Sequence, residues 1–164
     1  MAISTKNNLF SNQSMNQSSI KPVRGQIAHG QTKKIFSVSI DPSDTDVFYA
    51  GDAVNLNTTS TIQKGIIVEK STSDSKTLGI IVYSPIGNIY SAESGKTTFE
   101  ICVPKVNIHM EAAEAINRGD RLSIDDTDPD GIHRVKVAEE GENVIGIALE
   151  KATEAGDIFL IEHI

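Results

Sequence analysis

Residues 99–110 read Phe-Glu-Ile-Cys-Val-Pro-Lys-Val-Asn-Ile-His-Met. Phe99, Ile101 and Val103 alternate with Glu100 and Cys102, and Val106, Ile108 and Met110 alternate with Asn107 and His109. A period of two puts successive side chains on opposite faces of an extended chain, so each run is a strand with one buried face. Pro104 lies between them and cannot donate to a ladder, so the chain bends there or runs along an edge.

The same texture extends outward. Upstream, Phe36, Val38 and Ile40 alternate with Ser37 and Ser39, and Asp41-Pro42-Ser43-Asp44 follows as a turn. Further short apolar runs fall at 54–56, 65–68, 78–83, 122–124, 132–137, 144–149 and 158–161, separated by Gly, Asn, Asp and Ser. About ten short strands at this spacing predict an all-β chain, a small barrel or sandwich. One stretch departs from the pattern. Glu111-Ala-Ala-Glu-Ala-Ile-Asn-Arg118 is rich in helix formers and precedes Gly119, which predicts one short helix over 111–118 with Gly119 as its C-terminal cap. Two turns do not hold alone in water, so this helix must pack on the sheet through Ala112 or Ala113 and Ile116.

The body repeats itself. Ala50-Gly51-Asp52-Ala-Val-Asn-Leu56 matches Arg118-Gly119-Asp120-Arg-Leu-Ser-Ile124, Gly65-Ile-Ile-Val matches Gly131-Ile-His-Arg-Val, and Leu78-Gly79-Ile-Ile-Val82 matches Ile145-Gly146-Ile-Ala-Leu149. The paired glycines stand 68, 66 and 67 positions apart. A third pair, Gly156-Asp157, closes the chain. Each Gly-Asp predicts a tight turn into a strand, with glycine supplying the backbone conformation and the carboxylate capping it; Gly51, Asp52, Gly119, Asp120, Gly156 and Asp157 are therefore structural turns. The duplication predicts pseudo-repeats at about 50–110 and 118–164, each too small to fold alone and packed as one domain.

The chain has 164 residues, room for one ordinary domain. Its net charge of −7 hides a division. The first 40 residues hold Lys6, Lys21, Arg24, Lys33 and Lys34 and no acid, a charge of +5; the other 124 set ten basic residues against all 22 acids, a charge of −12. Residues 1–34 include 13 Asn, Gln or Ser with no apolar period, and a segment like this cannot bury enough apolar surface to offset the entropy of ordering it. The expected organisation is an extended polar and basic arm over 1–34, ordered by lying on another molecule, and a β-domain over 35–164. An acidic body argues against a nucleic-acid partner, and the absence of Trp with only 5% aromatics removes the stacking platforms of a single-strand binder. No apolar run is long enough to span a bilayer and the N-terminus lacks a signal-peptide layout, so no membrane partner is expected and synthesis is expected in a cytoplasm. A single cysteine, Cys102, excludes an internal disulfide.

Several motifs suggest chemistry and fall short of it. Asp126-Thr-Asp128-Pro-Asp130-Gly131 opens like a calcium loop, but Val137 stands where the closing glutamate belongs, and strands flank it; residues 125–131 read as a hairpin loop. Ser94-Gly95-Lys96-Thr97-Thr98 echoes a phosphate-binding loop, but Tyr90 replaces the required glycine and a strand follows, so it too reads as a turn. Glu150-Lys151-Ala152, between two strands of a duplicated all-β module, raises the alternative of a lipoyl or biotinyl carrier with Lys151 as the attachment site. His29, His109, His133 and His163 are scattered without metal-ligand spacing, and Cys102 reads as a packed thiol. No catalytic residue, no metal site and no cofactor is expected.

Taken together, the Gly-Asp turns into apolar strands, the Gly-Ile hairpins, the Ala-rich stretch ending in Asn117-Arg-Gly-Asp120 and the closing Ile145-Gly-Ile-Ala-Leu149 with Ala155-Gly-Asp-Ile158 resemble the capsid cement, or head decoration, proteins of tailed bacteriophages. The resemblance spans about residues 45–164. It implies a non-enzymatic β-barrel, typically a homotrimer, on the outer surface of the virion head, bridging major capsid protein subunits and stabilising the expanded shell. On that reading the arm makes the capsid contact, with Leu9, Phe10, Ile20, Val23 and Ile27 as apolar anchors and Lys6, Lys21, Arg24, Lys33 and Lys34 pairing with capsid carboxylates.

Overall fold

The computed structural model describes residues 21–28 and 34–164, and among these residues there is no helix. Lys6, Leu9, Phe10, Ile20 and Lys33 lie outside the described residues. Twelve strands form: β1 (Ile35–Ile40), β2 (Phe48–Tyr49), β3 (Ala53–Leu56), β4 (Ile67–Lys70), β5 (Gly79–Ile81), β6 (Ile89–Tyr90), β7 (Thr98–Cys102), β8 (Val106–Glu111), β9 (Arg121–Asp125), β10 (Arg134–Val137), β11 (Gly146–Ala148) and β12 (Ile158–His163). The all-β expectation holds.

Pairing sorts ten of them into two sheets with one plan. In the first, order β1-β4-β3-β5-β7, β1 closes the ring by pairing β7 antiparallel and β4 parallel, which makes a five-stranded barrel. In the second the order is β10-β9-β11-β12-β8, with all four neighbouring pairs antiparallel. A single parallel bridge, Ala112 to Val135, links its two edge strands, the counterpart of the β1–β4 pairing in the first. Strand for strand, β1, β3, β4, β5 and β7 correspond to β8, β9, β10, β11 and β12. The strands β7 and β8 that flank Pro104 pair with different neighbours, so the proline marks the crossing from one sheet to the other and β8 begins the second sheet. Lys105, at a φ of 71°, completes that crossing and donates to the His163 carbonyl at 2.6 Å.

The helix expected over 111–118 does not form. Glu111 ends β8, Ala112 bridges Val135 and Ile116 bridges Ala152. The amides of Ala112, Ala113 and Ile116 donate to the carbonyls of Asp157, Val135 and Ala152 at 2.8–2.9 Å. A helix here would need the Ile116 amide on the Ala112 carbonyl, but that amide goes to Ala152 and that carbonyl accepts from Gly156, so eight residues of good propensity lose their ladder to neighbouring segments that already bury Ala112 and Ile116.

Two apolar clusters make the interior. Val38, Ile40, Phe48, Val54, Val68, Ile81, Tyr90, Phe99 and Ile101 fill the first barrel. The second cluster joins Ile108, Met110, Leu122, Ile124, Phe159 and Ile161 to three residues of the first half, Ala53, Ile80 and Cys102. Along β3, β5 and β7 one side chain points into the first barrel while its neighbour points into the second cluster, which is why 79–81 reads as a continuous apolar run. Gly79 and Gly146 occupy matching places in this packing. A Cβ on Gly79 would lie 2.4 Å from the Cys102 carbonyl oxygen, and one on Gly146 would lie 2.8 Å from that of Glu162. The repeated glycine exists because the adjacent strand comes this close.

Candidate functional site

The three Gly-Asp turns share one geometry. Gly51, Gly119 and Gly156 have φ of 86°, 92° and 92°. The following carboxylates accept from the amides of Tyr49 at 2.9 Å, Asn117 at 2.8 Å and Thr153 at 2.7 Å. Asp52 does more. It is fully buried, and charge gathers around it: Arg24 Nη2 lies 2.5 Å from Oδ1, Lys70 Nζ lies 3.1 Å from Oδ2, and the His133 amide donates to Oδ1 at 3.1 Å. Arg24 also donates to the carbonyls of Ala50 at 2.7 Å and His133 at 2.5 Å, while Lys70 donates to that of Gly131.

Residues 21–28, here termed the strap, deliver Arg24 to this place. Val23 and Gln26 form a turn, with the Gln26 amide on the Val23 carbonyl at 3.0 Å, and Gly25 sits at a φ of 79°. The strap then runs along β8: Gly25 and Ala28 donate to the carbonyls of His109 and Asn107, His109 donates back to Gln26, and Ile27 bridges Ile108. Tyr83, beyond β5, donates to the Gly25 carbonyl at 2.8 Å. The strap therefore touches both halves, and Arg24–Asp52–Lys70–His133 pins it where they meet. Two cations on one carboxylate, with further donors on the remaining lone pairs, satisfy the condition under which a buried charge is tolerated.

Burial pushes the pKa of His133 down, against the opposing field of Asp52, and its Nδ1 accepts from the Ala53 amide at 3.2 Å. His163, buried in the second half, is lowered by the same cause and its Nδ1 contacts the Ile145 carbonyl at 2.7 Å. Burial favours the neutral form of both rings. Desolvation pushes the Cys102 thiol up to about 12, so the thiolate a nucleophile needs is scarce at neutral pH.

The other singled-out residues form turns. Asp128 pairs with Arg134 and accepts from the Asp130 amide, Asp125 accepts from Thr127, and Asp126 accepts from the Ser73 amide, so the acids of 125–131 point to separate partners. Among the described residues no group of three or more His, Cys, Asp or Glu is placed to hold a metal ion. Residues 91–96 close a hairpin through a Ser91–Lys96 bridge, with Gly95 at a φ of 73°. Lys151 is exposed in the β11–β12 connection, next to Ala152, which is buried and bridged to Ile116.

Of the expected arm contacts, Lys21, Val23 and Lys34 are exposed, whereas Arg24 is spent on Asp52 and Ile27 is partly buried against the second cluster. A second surface feature was not anticipated. An open groove of about 570 Å³ lies over the outer face of β7, lined by Val82, Ser84, Ile86, Tyr90, Thr98 and Glu100 among others. Ile86 on its rim is 94% exposed and Ile89 is 57% exposed. The segment carrying them, with β6, pairs β2 across Phe48–Tyr90 and has no counterpart in the shorter β11–β12 connection. It is held down by Phe99, whose ring centroid lies 4.9 Å from that of Tyr90 and 5.7 Å from that of Phe48. A signal for the buried lock was available in the sequence: Asp52 is followed by Ala53-Val54, whereas Asp120 is followed by Arg121.

No protein-family model matches the chain, and no curated protein matches it. Among solved structures, the chain is similar to the N base of the head fiber gp8.5 of bacteriophage phi29, with 16% identity and a TM-score of 0.53 over 81% of this chain and 95% of that one. At this identity the likeness is one of fold alone, and it extends over nearly the whole of that phage head fiber base.

Proposed function

We propose that the chain is a structural virion protein, a capsid decoration protein that sits on the outside of a phage head and bridges neighbouring major capsid subunits, stabilising the expanded shell. The observation that carries this reading is the fold shared over 95% of the phi29 head fiber base, a protein named for its place on a phage head. A lock built of charges whose every partner is internal, with no exposed catalytic grouping around it, suits a load-bearing body. The contact surface on this reading is the basic N-terminal region together with the exposed Lys21, Val23 and Lys34, supplemented by Ile86 on the rim of the β7 groove and by the exposed Ile89. Arg24 and Ile27 are withdrawn from it because the body uses them. Copies act as a homotrimer, so that opening the shell means breaking several contacts at once and weak contacts add through local effective concentration. No catalysis, cofactor, nucleic acid or membrane enters the mechanism.

The test is co-sedimentation of the purified chain with expanded, undecorated heads of the virus that encodes it. Saturable binding is expected, lost on deletion of residues 1–20 and weakened by Ile86→Asp. Heads that pellet without the protein at micromolar concentration reject the reading.

A further inference from the structure

The strap is held by a slot that owes nothing to the way the strap is connected. Its described partners are Ala50, Asp52, Tyr83, Asn107, Ile108, His109 and His133; none belongs to β1, the strand it precedes by a few residues. The slot is also shaped for one sequence. The strap passes so close to the Gly51 turn that a Cβ on Gly51 would stand 2.4 Å from Arg24 Cγ, and a Cβ on Gly25 would stand 2.8 Å from Gly51 N and from the Ile81 oxygen. The guanidinium fork meets a fully buried carboxylate and two carbonyls, a planar multi-acceptor geometry that lysine cannot reproduce. Paired backbone along β8 adds an extended register.

We propose that this slot is an acceptor for the Val23-Arg24-Gly25-Gln26-Ile27 segment of a second copy of the chain, so that assembled copies are stitched together by exchanging straps. The contacts made in exchange are those already present, which makes exchange a low-cost route to an oligomer. Charge favours it: the 40 N-terminal residues carry +5 and no acid, and the rest of each copy carries −12, so the strap-bearing region of one copy is drawn to the body of another. Within one copy the strap has the advantage of tethering; crowding on a surface or concentration in solution raises the share of exchange. The inference stands apart from the capsid reading, because its test uses the purified chain alone.

Ile27 and Ile108 face each other in an antiparallel bridge whose flanking bonds are His109 N to Gln26 O and Ala28 N to Asn107 O, the close, non-hydrogen-bonded type that suits a disulfide. The full chain carrying Ile27→Cys and Ile108→Cys is refolded at high concentration, oxidised and run on a non-reducing denaturing gel, beside the parent chain with its buried Cys102. Covalent multimers in the double variant and none in the parent are expected; a monomer band alone overturns the proposal. A second measurement avoids new thiols. Arg24→Ala and Asp52→Ala variants are refolded separately and together; exchange rebuilds one intact lock per mixed pair, so the mixture melts above either variant and shows a two-chain species by native mass spectrometry. Melting as the superposition of the two separate curves overturns the proposal as well.

Discussion

Replacing Arg24 with alanine should cost the fold heavily although the residue precedes the first strand of either sheet. The change leaves Asp52 fully buried, with Lys70 at 3.1 Å as its remaining cation, and strips a donor from the carbonyls of Ala50 and His133. Breaking a buried pair by removing one partner costs about 3–5 kcal/mol because a charge is left uncompensated. Lys70 stays in place, so the lower end applies, about 3 kcal/mol. For a chain of this size 1 kcal/mol moves the melting midpoint by about 2–4 °C, which predicts a fall of about 6–12 °C. Arg24→Lys keeps the charge and loses the fork, and should recover about half of the loss. Differential scanning calorimetry on the parent, both variants and the exposed control Lys21→Ala measures it. An Arg24→Ala midpoint within about 2 °C of the Lys21→Ala control would refute the reasoning, and with it the claim that the strap belongs to the body.

Truncation separates arm from strap: removing residues 1–20 should leave the melting midpoint within about 2 °C of the parent, whereas removing 1–34 takes Arg24 with it and should lower the midpoint at least as far as Arg24→Ala, both read by thermal denaturation. Gly146→Ala drives a methyl against the Glu162 carbonyl at 2.8 Å, and Gly79→Ala drives one to 2.4 Å from that of Cys102; both should destabilise by about 2 kcal/mol or more in urea titrations, with Gly79→Ala the worse, while Gly119→Ala, whose Cβ meets nothing, pays only for its positive φ. Acid should weaken the protein before its carboxylates titrate. His133 and His163 have folded-state pKa values below the ordinary 6.5, so the unfolded chain binds their protons first; their contribution is complete above about pH 6.5 and is lost as pH falls below it, with a slope of at most about 1.4 kcal/mol per pH unit for each ring. Urea midpoints between pH 7.5 and 5 measure this, and His163→Gln should flatten the curve.

Strands were legible wherever one face is buried and the other wet, as at Val106, Ile108 and Met110, because period two is a direct record of that environment. The repeated glycines were legible for a similar reason, since Gly79 and Gly146 sit where a neighbouring strand leaves no room for a side chain, but the bounds 50–110 and 118–164 were not: β1 (Ile35–Ile40) belongs to the first sheet and β8 (Val106–Glu111) to the second. The segment 111–118 misled because local propensity favours a helix there, and only the positions of Asp157, Val135 and Ala152, distant in sequence, show that its amides are already claimed. Two-residue strands such as Phe48–Tyr49 are too short to carry a period. The lock left one local trace, Ala53 after Asp52 where Arg121 follows Asp120; otherwise the two Gly-Asp turns have the same local chemistry, and the partners that set Asp52 apart, Arg24, Lys70 and His133, lie 28, 18 and 81 positions away. Val23-Arg-Gly-Gln-Ile27, read as part of the arm, is a turn followed by one bridging residue, too short to carry a period.

On the proposed function, the chain decorates the outside of a phage head. Electron cryomicroscopy of expanded, undecorated heads mixed with saturating protein tests it most directly. Added density is expected on the outer face at the junctions between major capsid subunits, with the two-sheet body projecting outward and the N-terminal side against the shell. Bare outer surfaces at saturation, or density confined to the inner face, would contradict it.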